Sequence, residues 1–368
     1  MAKFGSGFNR WYLDKYNEYF LDIPACVSHI ELGISEYQSW ISKKNKFCGD
    51  LSVHLARTPI VESEKTQKTF VNYLFKALCG DEYNKSKISS IGLHLIGHRY
   101  HGIGKLGFST HFDGSLEDQR RASRFISMLM EKFKVPIWIE NANFYSTSSA
   151  EIFQTWDVVG RILEQTGAGL ILDMSHLFID SVNNHCSPEV ILGAIPQKFI
   201  SEIHLSGIIK AHDGVYHDGH SRSIPDDIWN LFSLLLKNLV NTNQDIIYTI
   251  EHTDPSWIMK KSEFENDFNK LHQIVTNTEI PSNAKKKNAE EYAKNYLKKL
   301  LRGWCRIDLN KLDALNMDFN FIFDRWLASI IDDNKRVVLT KEEIPPEEWE
   351  NVHFAKESFS NFIAMITL

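Results

Sequence analysis

The sequence predicts a (β/α)8 barrel, followed from about residue 280 by a mostly helical C-terminal extension. Three observations carry this. Short apolar runs alternate with longer stretches of helical periodicity up to about residue 275. Seven of those runs are clear, and a weaker one at the N-terminus can supply an eighth. Neither an internal repeat nor a Pro-rich linker interrupts the alternation.

Taken in order, the weak run is "AKFGSGF". After it come "CVSHIEL" (26–32), "LSVHLA" (51–56), "ISSIGLHLIG" (88–97), "VPIWIEN" (135–141), "AGLILDM" (168–174), "ISEIHLSGI" (200–208) and "DIIYTIEH" (245–252). Each is short, apolar and rich in β-branched residues, as a strand buried on both faces must be. Between them, "EKTQKTFVNYLFKALCG", "SLEDQRRASRFISMLMEKF", "SAEIFQTWDVVGRILEQTG" and "PDDIWNLFSLLLKNLV" space their apolar residues as helices do. Ser115 is placed to cap the second of these helices, and Gly167 to stop the third. The character changes after residue 279. "PSNAKKKNAEEYAKNYLKKLLRG" reads as a solvated amphipathic helix, with Glu290 and Glu291 interrupting the lysines. "FNFIFDRWLASII" is too apolar to remain in water and must pack on something. The expected division is a catalytic barrel over 1–279 and an extension over 280–368, suited to holding a substrate peptide or a partner.

Composition narrows the function. A net charge of −6 and a pI near 6.2 give no bulk attraction to nucleic acid. No apolar run approaches the roughly 20 residues that span a bilayer. The opening "MAKFGSGFNRWYLDKY" lacks the apolar segment of a secretory signal. Five scattered cysteines, odd in number and without a CxxC pair, suit reduced thiols. A cytoplasmic protein away from membranes is expected.

The polar residues are where chemistry enters. His54, His94, Glu140, Asp173, His204 and Glu251 fall at or near the C-terminal ends of six successive strand-like runs. In a (β/α)8 barrel those ends converge on one face, where active sites sit. His176 follows Asp173 in "GLILDMSHLFID", and Asp218 and His220 follow His204 in "YHDGH". Singly, each has a plain structural reading. Asp173 can cap a helix, Asp218 can sit in a turn, and a strand histidine is usually just hydrogen-bonded. Together they resist it, because gathering buried carboxylates and imidazoles without compensation costs several kcal/mol per charge. Cations offset that cost, and this donor set suits two or three ions of iron, zinc or manganese with bridging carboxylates. His98, His101 and His111 fall in a Gly-rich loop and are read as rim residues. His29 reads as a core or supporting residue, His252 as facing away from Glu251, and His217 as a weaker candidate than His220. His185, His272 and His353 read as surface residues. There is no GxSxG elbow, P-loop or strand-borne GxGxxG to compete.

The order and local sequence of these residues resemble the multinuclear non-haem iron-dependent oxidative enzymes (MNIO), the family that includes the methanobactin-forming oxygenase. The resemblance covers roughly residues 5 to 275. "IEN" with Tyr145, "EIHLSG", "DGHSRSIPDDIWNLF" and "IEHTDPSW" carry it, the last two most specifically. It implies a xylose isomerase-like barrel whose metal ligands are His54, His94, Glu140, Asp173, His176, His204, Asp218, His220 and Glu251. Glu140, Asp173 and Glu251 would be the catalytic carboxylates. It also implies two to three iron ions (Fe2+/Fe3+) and dioxygen as co-substrate. The substrate would be a cysteine-containing precursor peptide made by the ribosome, with a recognition partner protein. Two departures stand out: His176 where the family usually has Asn, and Ile208 where it has a second His. The Asp-x-x-His spacing is instead similar to that of endonuclease IV-type nucleases, which hold three zinc ions on such a barrel. A metal-dependent hydrolase or phosphodiesterase is therefore the alternative, with a sugar isomerase-like barrel or a structural metal site behind it.

Overall fold

The computed structural model describes residues 2–13, 21–42, 47–79, 88–97, 112–142, 146, 148–211, 214–239 and 245–277. The expectations for His98, His101, His111, Tyr145, His353 and the extension over 280–368 lie outside these residues. Among the described residues no helix is long and apolar enough to cross a membrane.

Eight parallel strands close on themselves. They are β1 (Lys3–Gly7), β2 (Val27–Leu32), β3 (Asp50–Leu55), β4 (Ile88–His94), β5 (Ile137–Glu140), β6 (Gly169–Asp173), β7 (Ile200–Leu205) and β10 (Ile247–Ile250). Their order around the barrel follows the sequence, and β1 pairs with both β2 and β10 to complete the ring. Each predicted run, including the weak first one, is a barrel strand. Two short strands, β8 (Ile208–Lys210) and β9 (Tyr216–Asp218), form an antiparallel hairpin after β7.

The helices are α1 (Ile34–Ser42), α2 (Glu64–Cys79), α3 (Leu116–Phe133), α4 (Ser149–Thr166), α5 (Met174–Asn183), α6 (Pro188–Leu192), α7 (Asp226–Leu239) and α8 (Lys261–Asn277). Their ends follow local chemistry. The Ser115 hydroxyl accepts the Asp118 amide at the start of α3. Gly167, at φ +72°, ends α4 in a left-handed conformation that costs glycine little. Amphipathic periodicity then supplies the packing face: α7 buries Ile228, Trp229, Leu231, Phe232, Leu235, Leu236 and Leu239.

Strand alternation separates two environments. Ile91, Leu93, Ile139, Leu170, Leu172, Ile203 and Leu205 are fully buried. They alternate with the polar residues along the same strands, so the barrel interior receives Glu140, Asp173, Glu202 and His204. Residues 146–157 and 181–195 group apart from the unit that holds the barrel.

Candidate metal centre

Register brings the polar residues together. His94 pairs with Glu140 across β4 and β5, and Asp173 with His204 across β6 and β7. The side chains follow. Glu140 lies at the middle, with one carboxylate oxygen 2.8 Å from His54 Nε2, 3.2 Å from His94 Nε2 and 3.8 Å from His204 Nδ1. Its other oxygen lies 3.2 Å from His176 Nδ1. Glu251, just past β10, stands 3.5 Å from His204 Nδ1 and 3.9 Å from His220 Nε2. Asp218, ending β9, stands 2.6 Å from His220 Nε2 and 3.6 Å from His176 Nε2. Every side chain singled out as a ligand thus belongs to one cluster at the C-terminal mouth of the barrel. One donor atom from each of His54, His94 and Glu140 lies within 4.8 Å of the others, and the same holds for Glu140, Asp173, His204 and Glu251.

Most of these side chains are held on one edge and bare on the other. Asp173 Oδ1 accepts the His176 amide at 2.5 Å, while its Oδ2 has no hydrogen-bond partner. Asp218 Oδ1 accepts from the Ser206 hydroxyl and the Gly219 amide at 3.0 and 2.8 Å, which leaves Oδ2 toward the two histidines. His220 Nδ1 meets Thr253 Oγ1 at 2.8 Å, and His176 Nδ1 meets the Asn141 carbonyl at 3.0 Å. Asn141 pins the strand beneath. Its side chain donates to the Asp173 carbonyl at 2.9 Å and accepts the Asp173 amide at 2.8 Å. Trp257 stacks on His252 at 3.9 Å and donates its indole N–H to the His220 carbonyl at 2.6 Å. His252 itself turns outward to Asp267, 2.8 Å away, as its alternation with Glu251 predicts.

The buried hydrogen-bonding deficit is concentrated here. His54 Nδ1 and Nε2, both Glu140 oxygens, Asp173 Oδ2, both His204 nitrogens and His220 Nε2 are buried without completing a hydrogen bond. The His54 contacts are short but off the line of a hydrogen bond. Unpaired polar atoms normally cost ~1–3 kcal/mol each, more when charged. Gathered as imidazoles and carboxylates a few ångströms apart, they fit bound cations, with the opposite edges held as ligand side chains require.

The electrostatics agree. Burial raises the Glu140 carboxyl, but His94, His54, His176 and His204 outweigh it and hold the group well below the usual carboxylate range. Asp173 goes the other way. Burial, reinforced by Glu140, Glu251 and Asp218 against the pull of His176, pushes it to about 7. Burial lowers His54, His176 and His204, yet the surrounding carboxylates win and raise all three. His220 reaches about 9 because Asp218 and Glu251 overcome its burial. The carboxylates thus favour positive charge on the imidazoles around them, a charge that bound cations would supply instead.

Sequence reasoning missed two residues of this neighbourhood. Glu31 of β2 lies 2.9 Å from His54 Nδ1 and 3.5 Å from His204 Nε2. Glu202 of β7 lies 3.5 Å from His204 Nε2 and accepts the Thr249 hydroxyl. The available signal was the period of two: Glu31 shares its strand face with His29, and Glu202 shares its face with His204. His29 proves to be the supporting residue expected, bonded to Ser52 at 2.8 Å. His217 is buried and lies outside the ligand-distance contacts. His185 and His272 are exposed.

Residues 118–265 match the family model described as RiPP precursor modification enzyme MbnB/TglH/ChrH. The match contains β5, β6, β7, the hairpin, β10 and the motifs that most specifically resemble the MNIO family, and that resemblance stands. A UPF0276 protein of Shewanella loihica is 22% identical over 296 residues, covering 76% of this chain and 97% of that protein. A UPF0276 protein of Paraburkholderia phytofirmans is 27% identical over 118 residues, 31% of this chain and 38% of that protein. Among solved structures, a xylose isomerase domain protein from Alicyclobacillus acidocaldarius aligns with TM-score 0.46 at 12% identity, over 76% of this chain and 100% of that one. A D-psicose 3-epimerase from Clostridium cellulolyticum aligns with TM-score 0.48 at 13% identity, over 74% and 99%. The barrel assignment rests on the closed strand order itself.

Proposed function

We propose that this chain is an iron- and dioxygen-dependent oxidoreductase that modifies a cysteine of a ribosomally synthesised precursor peptide. The observation that carries the reading is the cluster of unpaired imidazole and carboxylate atoms around Glu140, of which Glu140, Asp173, His204 and His220 fall in the segment matched to a family of precursor-modifying enzymes.

His54, His94, Glu140, Asp173, His204 and Glu251 would hold an iron pair, with Glu140 bridging. His176, Asp218 and His220 would hold a third ion. When bound, iron supplies one-electron exchange with dioxygen and a seat for a thiolate sulfur. The chain's own residues do the rest. Glu140 turns one oxygen to His54 of β3 and the other to His176 of α5, so it could neutralise two neighbouring cations at once. Asp173 and Glu251 group with Glu140 and His204 and would balance cation charge there, and the burial of all four would limit access of bulk water to a reacting cysteine. Zinc and manganese fit the same donors and are alternative occupants. A substrate thiol must be reduced to react, which favours a cytoplasmic setting. A recognition partner, or residues 280–368 themselves, would deliver the peptide.

The test is co-expression with a short cysteine-bearing peptide encoded beside the gene, followed by mass spectrometry of the peptide. The expected result is an oxygen-dependent mass change on the cysteine, lost in Glu140→Gln. Oxygen-insensitive cleavage of an abasic-site duplex by a zinc-loaded protein would instead establish the phosphodiesterase reading.

A further inference from the structure

Glu31 stands outside the ligand set proposed above, yet one of its oxygens lies within 4.8 Å of donor atoms of His54, His204 and Glu251. It belongs to β2, is 4% exposed, and pairs in register with Ser52 of β3. Its two oxygens face two different rings: Oε1 lies 2.9 Å from His54 Nδ1, and Oε2 lies 3.5 Å from His204 Nε2. Each ring turns its other nitrogen to Glu140, His54 Nε2 at 2.8 Å and His204 Nδ1 at 3.8 Å. The two imidazoles therefore span the gap between two carboxylates.

Two other histidines show what the outer edge of such a ring does. His176 meets the Asn141 carbonyl with Nδ1, and His220 meets Thr253 with Nδ1; each leaves Nε2 for the Asp218 side. An acceptor on the outer nitrogen fixes the tautomer and keeps the inner lone pair bare for a metal.

We propose that Glu31 is a positioning residue. Neither contact completes a hydrogen bond as it stands; with cations on His54 Nε2 and His204 Nδ1, the shared carboxylate would take the N–H that each ring then carries on its other nitrogen. This rests on the metal-centre reading above. A carboxylate suits the task because it offers an acceptor oxygen to each ring and no proton. Glutamine, nearly identical in shape, has one acceptor oxygen and one donor nitrogen. It can serve one ring, but it forces the other to carry its proton on the metal-facing nitrogen. The two rings are not equally exposed to this loss. His204 Nε2 also has Glu202 at 3.5 Å, whose Oε1 is tied down by Thr249. His54 Nδ1 has Glu31 as its close carboxylate, so the ion beside His54 and His94 depends most on it.

The experiment titrates Fe2+ into the full-length protein, stripped of metal and kept anaerobic, against a chromophoric chelator. Wild type, Glu31→Gln and Glu31→Asp are compared, with circular dichroism reporting the fold. Wild type should take up roughly two to three ions. Glu31→Gln should reach the same stoichiometry at saturation, with one ion bound ~10–100-fold more weakly. Glu31→Asp keeps both oxygens on a shorter stem and should fall between, and it carries the comparison if the glutamine variant does not fold. Unchanged affinity in the folded variants overturns the proposal and leaves the metal centre intact. Loss of a whole ion at saturating Fe2+ also overturns it, by making Glu31 a ligand. No uptake by wild type overturns the centre and this inference with it.

Discussion

Asp173 serves two structural demands with its two oxygens. Its sequence context allows a helix cap or a metal ligand, and the structure gives Oδ1 to the first and leaves Oδ2 bare for the second. Asp173→Asn separates the two roles, since Asn caps helices as well as Asp. The chelated variant should be at least as thermally stable as its parent, because a buried carboxylate repelled by Glu140, Glu251 and Asp218 has gone. Its iron content should nevertheless fall. His176→Ala should lose about one ion's worth of metal, whereas Glu140→Gln should lose more, since a bridging carboxylate neutralises two cations; elemental analysis of the folded variants checks both. Asn141→Ala tests the support beneath. It strips partners from the buried Asp173 amide and carbonyl, a loss of about 1–3 kcal/mol to be read as a lower melting temperature. At this scale the sequence shows the ligand types clearly, because His, Asp and Glu at strand ends are conspicuous among apolar neighbours. Glu202 escapes notice because it sits three positions before the end of β7, and Glu31, one position before the end of β2, because it stands on an early strand where only the alternation with His29 places it inward.

At the scale of elements, the barrel strands are legible because burial on both faces writes a continuous apolar run into the sequence. The β8–β9 hairpin is not, since strands of three residues are too short for a period to register. It still matters for the centre, because Asp218 closes β9 and His220 follows. Gly207 makes the hairpin's close approach possible: a Cβ there would run into the backbone carbonyl of Arg222. Gly207→Ala should therefore destabilise the protein by roughly 1–3 kcal/mol. It should also weaken the ion assigned to His176, Asp218 and His220 while sparing the pair around Glu140. A thermal melt and a metal count on the same sample check this, and equal loss of all ions would show that the hairpin has no separate role.

For the whole molecule, eight strands in sequence order turn six separate strand ends into one polar mouth, which no single segment of the sequence reveals. That closure is what gathers individually unremarkable residues into one cluster that could hold metal ions. If residues 280–368 deliver the peptide, as proposed, their removal should weaken peptide binding while iron content holds, since every proposed ligand precedes residue 252. The central claim is that the cluster around Glu140 holds several iron ions, and elemental analysis of the anaerobically purified full-length protein tests it most directly. The account predicts roughly two to three metal ions per chain, mainly iron. A folded protein carrying less than one metal ion of any kind per chain would contradict it.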